Sequence, residues 1–209
     1  MATDTRLRRD ISGFNVRWSD THAQQWRQAG YWQDETLVDV ALAQTRAEPE
    51  RTLLIEGDVT HSRKAVLDAA LRLAHYLQQQ GARAGDVLAF QLPNWAESAI
   101  IALAARILGL VTNPLPPIYR EAELLSMLQR TGAKFLFIPA LFRNFDYRRM
   151  IAPLRAQLPA LEAVIVVRGE PAQEHDSQAF AGCDATWAEA LAATPLAALP
   201  EVDPAAVCM

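Results

Sequence analysis

The sequence predicts an α/β fold, a mostly parallel sheet with helices on both faces. Three features of its 209 residues carry that expectation. Strand-like runs start near residues 53, 87, 110, 134 and 162, and most of the gaps between them hold a helical pattern. The spacings of 34, 23, 24 and 28 residues far exceed a hairpin's linker and suit parallel crossovers, which need about a dozen residues or more. The runs are also apolar throughout, as strands covered on both faces are. Crossovers of this kind are right-handed. Strand order is not encoded in spacing, and no internal repeat is present.

The first fifty residues are polar, then helical. Asp20 is placed to cap a helix running to about Trp32, and Thr36 with Asp39 forms a capping box opening a second, with Leu37, Val40 and Ala41 on one face. Arg51–Glu56 reads as a strand, Gly57-Asp58 as a hairpin turn, and Val59–His61 as the returning strand. Ser62 caps the clearest helix: Val66, Ala69, Ala70, Leu73 and Leu77 share a face, and Gly81 ends it.

Gly85-Asp86 turns into the strand Val87–Leu92, which Pro93 breaks. Asn94 and Glu97 signal a helix through Leu108, ended by Gly109. Leu110–Asn113 is the next strand, and Pro114, Pro116 and Pro117 enforce an extended loop. Arg120–Arg130 is a helix with Leu124, Leu125 and Leu128 inward, closed by Gly132. Lys134–Ile138 is a strand, Asp146–Leu158 a helix and Glu162–Val167 a strand. Beyond it, Arg168–Gly182 is a polar loop, and Thr186 with Glu189 boxes a short helix carrying Trp187 and Leu191. Pro195, Pro200 and Pro204 mark a linker before Ala206-Val207-Cys208-Met209, which reads as the start of an interrupted strand. The chain thus divides into a helical segment over 1–50, an α/β unit over 51–194, and a linker with that strand start over 195–209.

Composition excludes several classes. Hydrophobic residues make up 51% and charged residues 21%, a globular profile rather than a disordered one. A net charge of −4 argues against a general nucleic-acid binder. The longest apolar run, Ala99–Ala105, stops at Arg106, far short of the roughly 20 residues that span a bilayer. Met1–Asp10 has no apolar core of a signal peptide. Two cysteines, Cys183 and Cys208, provide neither a disulfide framework nor a zinc site, which suits a reducing compartment. The expected setting is cytoplasmic, without a membrane span or a nucleic-acid partner.

Catalytic signatures are missing: no G-x-G-x-x-G, P-loop, G-x-S-x-G, H-E-x-x-H or C-x-x-C occurs. Gly81 and Gly85 precede a strand rather than open a helix, so they do not form a phosphate cradle. His22, His61, His75 and His175 are scattered; His75 reads as a packed helical side chain, and Glu174-His175-Asp176 as a solvated cluster. Arg143, Arg148, Arg149 and Arg155 form a local basic patch, read first as an exposed helix face and second as an anion contact. Trp18, Trp26, Tyr31 and Trp32 read as anchors for the N-terminal helices.

The order of the short motifs is informative. Gly81-Ala82-Arg83-Ala84-Gly85-Asp86-Val87 leads into Leu92-Pro93-Asn94-Trp95-Ala96-Glu97, then Ala105–Gly109, Asn113-Pro114-Leu115, Tyr119–Leu124 and Gly132-Ala133-Lys134. In this order and spacing, from about Trp32 to Met209, the chain resembles the N-terminal part of AMP-forming acyl-CoA synthetases, the adenylate-forming ligase superfamily. Thr60-His61-Ser62 departs from the family's usual Thr-Tyr followed by Glu-Leu. Phe142–Tyr147 is similar to ligases for aliphatic or alicyclic acids.

The resemblance implies the truncated N-terminal subdomain of that fold and an activity converting ATP, a carboxylic acid and CoA into acyl-CoA, AMP and diphosphate. It implies ATP, Mg²⁺ and CoA as cofactors of the complete enzyme, and Asn113, Pro114 and Leu115 as a border of the CoA channel. It places the phosphate loop, a ribose-binding aspartate and a catalytic lysine outside these residues. The chain alone is then expected to be inactive, to hold no cofactor tightly, and to need the C-terminal part of the ligase or a protein carrying it. No catalytic or metal-binding residue is assigned. Fatty acid metabolism is the expected context. A stand-alone binding or regulatory module derived from the family is the alternative, and an unrelated small nucleotide-binding α/β protein the third reading.

Overall fold

The computed structural model describes residues 9–16, 18–169 and 182–206. The polar loop after Gly169, with Glu174, His175 and Asp176, and the last three residues, with Cys208, lie outside them.

Helix α1 (Asp20–Gln28) is capped by Ser19 rather than Asp20. It ends before Trp32 because the Tyr31 and Trp32 N–H groups both turn back to the Trp26 carbonyl. In α2 (Leu37–Ala47) the expected box forms: Thr36 Oγ1 accepts from Asp39 N–H at 3.2 Å, and the Asp39 carboxylate accepts from Thr36 N–H at 2.8 Å. Strands β1 (Thr52–Glu56) and β2 (Val59–Ser62) make the antiparallel hairpin, a sheet of its own. Ser62 caps α3 (Arg63–Gln79) through Ala65 N–H.

Next come β3 (Val87–Phe90), α4 (Ala96–Ile107), β4 (Val111–Pro114), α5 (Glu121–Thr131) and β5 (Phe135–Pro139). The expected single helix over 146–158 is replaced by three elements. Strands β6 (Leu141–Phe142) and β7 (Phe145–Asp146) form a small hairpin, α6 covers Tyr147–Ile151, and a 3-10 turn covers Ala152–Gln157. Pro153, lacking an N–H, stops α6 from continuing. The chain ends with β8 (Ala163–Val167), a short strand β9 (Ala185–Thr186) not foreseen in the sequence, and the boxed helix α7 (Trp187–Leu191).

Five strands form one parallel sheet in the order β4-β3-β5-β8-β9. Alternate residues point to opposite faces, and here each face has its own core. Leu88, Phe135, Phe137, Ile165 and Val167 pack with Leu73, Leu77, Ile101 and Ala104 of α3 and α4. Ala89, Leu136, Ile138 and Val164 pack with Leu124 and Leu128 of α5 and with Met150 and Ile151. Two cores explain the continuously apolar strands. Each fully buried Leu, Ile or Phe side chain stabilises by about 1.5–3 kcal/mol before entropy is counted. Among the described residues no helix is long and apolar enough to cross a membrane.

Candidate functional site

The strand order fixes where a ligand crevice can open. The chain steps from β3 outward to β4, then crosses to the other side of β3 to lay down β5, so the connections leave β3 and β5 in opposite directions. In parallel sheets, crevices form at such a switch, outside the carboxyl ends of the strands. A groove of about 350 Å³ lies there. Its walls are Pro93 and Asn94 after β3, Pro116, Pro117, Ile118 and Arg120 after β4, and Phe142, Arg143 and Tyr147 after β5.

Buried polar contacts hold these loops. Gln91 continues β3, is fully buried, and donates from its backbone N–H to the Phe137 carbonyl at 2.8 Å. Its Nε2 donates to the carbonyls of Pro116 (3.1 Å) and Tyr119 (2.9 Å), tying the proline loop to the sheet. The Tyr147 hydroxyl donates to the Pro117 carbonyl at 2.7 Å. Arg120 Nη1 donates to the Pro117 and Tyr119 carbonyls, each at 2.8 Å, while its guanidinium sits 4.0 Å from the centre of the Phe145 ring.

Arg143 and Asn144 occupy the β6–β7 turn with φ of 50° and 62°. This left-handed pair is the geometry of a two-residue hairpin. It places the Arg143 guanidinium over Phe142, 5.3 Å from the ring centre. Two guanidiniums and two aromatic rings therefore line the groove, with no carboxylate in its wall. Such a site suits an anion carried on an apolar or planar body.

The wall behind Phe142 is also ordered. Trp95 meets Phe142 edge-on at 5.9 Å, and Arg168, at the end of β8, lies 4.1 Å from the centre of a Trp95 ring. Arg168 binds both Glu97 and Glu56. The Glu56 carboxylate also accepts the Ala96 N–H at 2.9 Å, capping α4 from another element. Asn94, the expected start signal, is not the cap: Trp95 occupies that position and offers no side-chain acceptor.

Of the three residues that the resemblance places on a CoA channel, Asn113 donates from Nδ2 to Thr131 Oγ1 at 3.4 Å, Pro114 ends β4 exposed, and Leu115 is buried in the α5-side core. None lines the groove, which begins one residue later at Pro116. The arginine patch does not converge either. Arg148 is nearly buried and forked onto Asp146, with Nε to Oδ1 at 3.1 Å and Nη2 to Oδ2 at 2.9 Å. Burial works to raise the Asp146 carboxyl, but this fork and two N–H bonds hold it below its ordinary range. Arg155 pairs with Asp184 at 2.9 Å, Arg149 lies 3.7 Å from Asp146, and only Arg143 reaches the groove.

The other singled-out residues are structural. His75 Nδ1 lies 2.7 Å from the Thr194 carbonyl oxygen. Trp18, Trp26 and Trp32 pack on one another, with Trp32 5.3 and 5.7 Å from the other two, while Tyr31 is exposed. Burial pushes the Cys183 thiol up to about 11, so it is a poor nucleophile. Gly81 and Gly85 lie at the amino end of β3, opposite the groove. Among the described residues no three metal-ligating side chains converge.

Comparison with known proteins agrees with this architecture. The family model "AMP-binding enzyme" matches residues 42–209. The medium-chain fatty-acid–CoA ligase of Escherichia coli is 33% identical over 168 residues, covering 80% of this chain and 30% of that protein. The vibriobactin-specific 2,3-dihydroxybenzoate-AMP ligase of Vibrio cholerae is 33% identical over 153 residues, covering 73% and 28%. The apo structure of MbtA from Mycobacterium smegmatis superimposes with a TM-score of 0.73 at 28% identity, covering 91% of this chain and 33% of that one. The chain thus spans about a third of the length of the proteins it resembles.

Proposed function

The chain belongs to the AMP-binding enzyme family, and on that premise we propose that it supplies the N-terminal portion of an AMP-forming carboxylate–CoA ligase. The complete reaction joins a carboxylate to the α-phosphate of ATP, releases diphosphate, and passes the acyl group to the CoA thiol with loss of AMP. Relatives include an acyl-CoA ligase and an aryl-AMP ligase. The acid is proposed to be a small carboxylic acid, in fatty acid metabolism and a cytoplasmic setting.

The residues present do not fit ATP·Mg²⁺. The sequence has no Ser/Thr/Gly-rich phosphate loop ending in Pro-Lys, and no acidic cluster for a metal forms among the described residues. Lys134 lies at the amino edge of the sheet, 2.9 Å from Asp86 and 3.7 Å from Glu162, away from the groove. On this reading the chain's own side chains carry out no adenylation step, and the chain alone is inactive.

The residues do fit the anionic part of CoA. The observation that carries this reading is the groove at the switch point, where Arg143 and Arg120 face a space without carboxylates. There Arg143 contributes charge from a rigid turn, Arg120 is already fixed by two carbonyls and an aromatic face, and Gln91 and Tyr147 keep the proline loop in place. Asn113, Pro114 and Leu115 border the channel indirectly, as the strand end that carries this loop. A second reading, a stand-alone binding or regulatory module, draws support from the main sheet having a core on each face.

Calorimetric titration with CoA and with ATP·Mg²⁺, together with acid-dependent diphosphate exchange, tests the reading. The expected result is no acyl-adenylate from the chain alone, no tight ATP binding, and weak CoA binding that falls about tenfold in Arg143→Ala and weakens with salt. Acyl-adenylate formation by the isolated chain, or CoA binding indifferent to Arg143 and salt, would overturn it.

A further inference from the structure

We propose that Arg120 grips a phosphoryl oxyanion in the groove through a two-pronged edge, and that Gln91 is its positioning residue, acting through a carbonyl that the two share. The proposal rests on the functional reading above and names the residue pair that fixes the anion contact.

One nitrogen of Arg120 is committed to the fold. Its Nη1 donates to the Pro117 and Tyr119 carbonyls, and its guanidinium lies 4.0 Å from the centre of the Phe145 ring. Glu123, the acid near it, accepts the Arg120 backbone N–H at 3.1 Å and caps α5. Nε and Nη2 make no hydrogen bond or ion pair among the described residues. Together they form the guanidinium edge that takes two oxygens of a phosphate side by side. Arg120 lines the groove, whose wall holds no carboxylate.

Each carbonyl that holds Arg120 is itself fixed by a second, buried donor. Tyr119 O also takes Gln91 Nε2 at 2.9 Å, and Pro117 O takes the Tyr147 hydroxyl at 2.7 Å. Gln91 is 0% exposed and Tyr147 1%. The other Gln91 Nε2 hydrogen goes to Pro116 O at 3.1 Å. Both amide hydrogens therefore face the loop, and the reversed amide would set its oxygen against two carbonyls. An arginine side chain usually loses rotamer freedom when it binds. Here folding has already removed that freedom, so the oxyanion meets a preorganised fork. Gln91 does not line the groove and acts only through Tyr119 O.

This arrangement separates position from stability. Without the Gln91 donors no carbonyl is left bare: Pro116 O keeps the Tyr119 N–H at 3.1 Å, and Tyr119 O keeps Arg120 Nη1 at 2.8 Å. Gln91 Oε1, buried without a partner among the described residues, is removed as well. Gln91→Met, apolar and of similar length, should leave the urea midpoint near the parent's while loosening Arg120.

The test titrates the chain with CoA and with inorganic diphosphate, by calorimetry and by the Arg120 Nε–H signal in NMR spectra of isotope-labelled protein. Arg120→Lys keeps the charge but loses the fork and should bind both ligands at least about tenfold more weakly. Gln91→Met should bind them at least about threefold more weakly and broaden the Arg120 Nε–H signal, at an unchanged urea midpoint. In Gln91→Glu an ionised carboxylate repels both carbonyls, whereas a protonated one donates to one of them. Its affinity relative to the parent should therefore rise as pH falls from about 8 to about 5. Arg149→Ala, an exposed arginine outside the groove, should stay within about twofold.

A Gln91→Met affinity equal to the parent's or lost only in step with the urea midpoint, a Gln91→Glu ratio flat with pH, or CoA binding that needs Arg143 but not Arg120 would each overturn the proposal and leave the functional reading standing. Diphosphate binding with the expected pattern and no CoA binding would support the Arg120 clamp and count against the functional reading. Binding of neither ligand would overturn both.

Discussion

Arg168 and Glu97, 71 residues apart, meet in a two-pronged pair: Nε donates to Oε1 and Nη2 to Oε2, each at 2.7 Å. The pair joins the end of the interior strand β8 to the first turn of α4. Through Glu56 it also reaches the hairpin, and through Trp95 the rear wall of the groove. One guanidinium therefore ties the β1–β2 hairpin and the groove to the same frame.

Replacing Arg168 tests that tie. Arg168→Ala leaves Glu56 and Glu97 facing each other without a cation and uncovers Trp95. The guanidinium is more than a third exposed, so the loss should be about 1–2 kcal/mol. Arg168→Lys keeps the charge but not the fork and should fall between. Urea unfolding followed by circular dichroism measures this, and an unchanged Arg168→Ala midpoint would show that the pair contributes nothing.

This pair also marks where the sequence stops being legible. Thr36 with Asp39 and Thr186 with Glu189 were readable as capping boxes because donor and acceptor lie three residues apart. The cap of α4 is not legible because its acceptor, Glu56, comes from a strand 40 residues upstream, while Glu97 is spent on Arg168. Four strands of the main sheet, β3, β4, β5 and β8, are legible because burial on both faces removes polar residues from most of their length. Their order, β9 and the β6–β7 hairpin are not, because two-residue strands carry no pattern and pairing is settled by tertiary contact. The groove is not legible for a related reason. Its residues come from three separated loops, and the Asn113-Pro114-Leu115 motif lies just before the residues that line it.

Carboxylates held low set the acid limit of stability. The Ala96 N–H does most to hold Glu56 below its ordinary range, with burial opposing and Arg168 assisting; Asp146 is also depressed. Folded values below unfolded ones mean that the unfolded chain takes up protons first as pH falls. The contribution is complete above the unfolded carboxyl values, near about 4, and drains as pH drops through the folded values. The urea midpoint should hold from neutral pH to about 5 and then fall, with Glu56→Gln and Asp146→Asn each flattening that limb. Lys134 has the opposite sign. The Asp86 hydrogen bond does most to raise it, so its contribution is present below the unfolded lysine value and is lost as pH rises through the folded one. An acid limb unchanged in both carboxylate variants would refute this assignment.

Gly81 and Gly85 separate backbone strain from steric seating. Their φ angles are nearly equal, +87° and +88°, so alanine at either should cost about 1 kcal/mol for the left-handed conformation. At Gly81 a new Cβ meets nothing within 4 Å, and strain should be the whole effect. At Gly85 it would lie 2.8 Å from the Ile11 carbonyl oxygen and 2.9 Å from its carbon, both backbone atoms of the N-terminal turn. That turn cannot stay seated, and lifting it also draws Phe14 off the α5-side core. Gly85→Ala should therefore lose about 2–3 kcal/mol and stop there, because the turn can detach while both cores remain. Detachment leaves a second signature: trypsin should cut after Arg9 several-fold faster in Gly85→Ala than in Gly81→Ala. Equal unfolding midpoints and equal cleavage rates would show that residues 9–16 do not rest on Gly85.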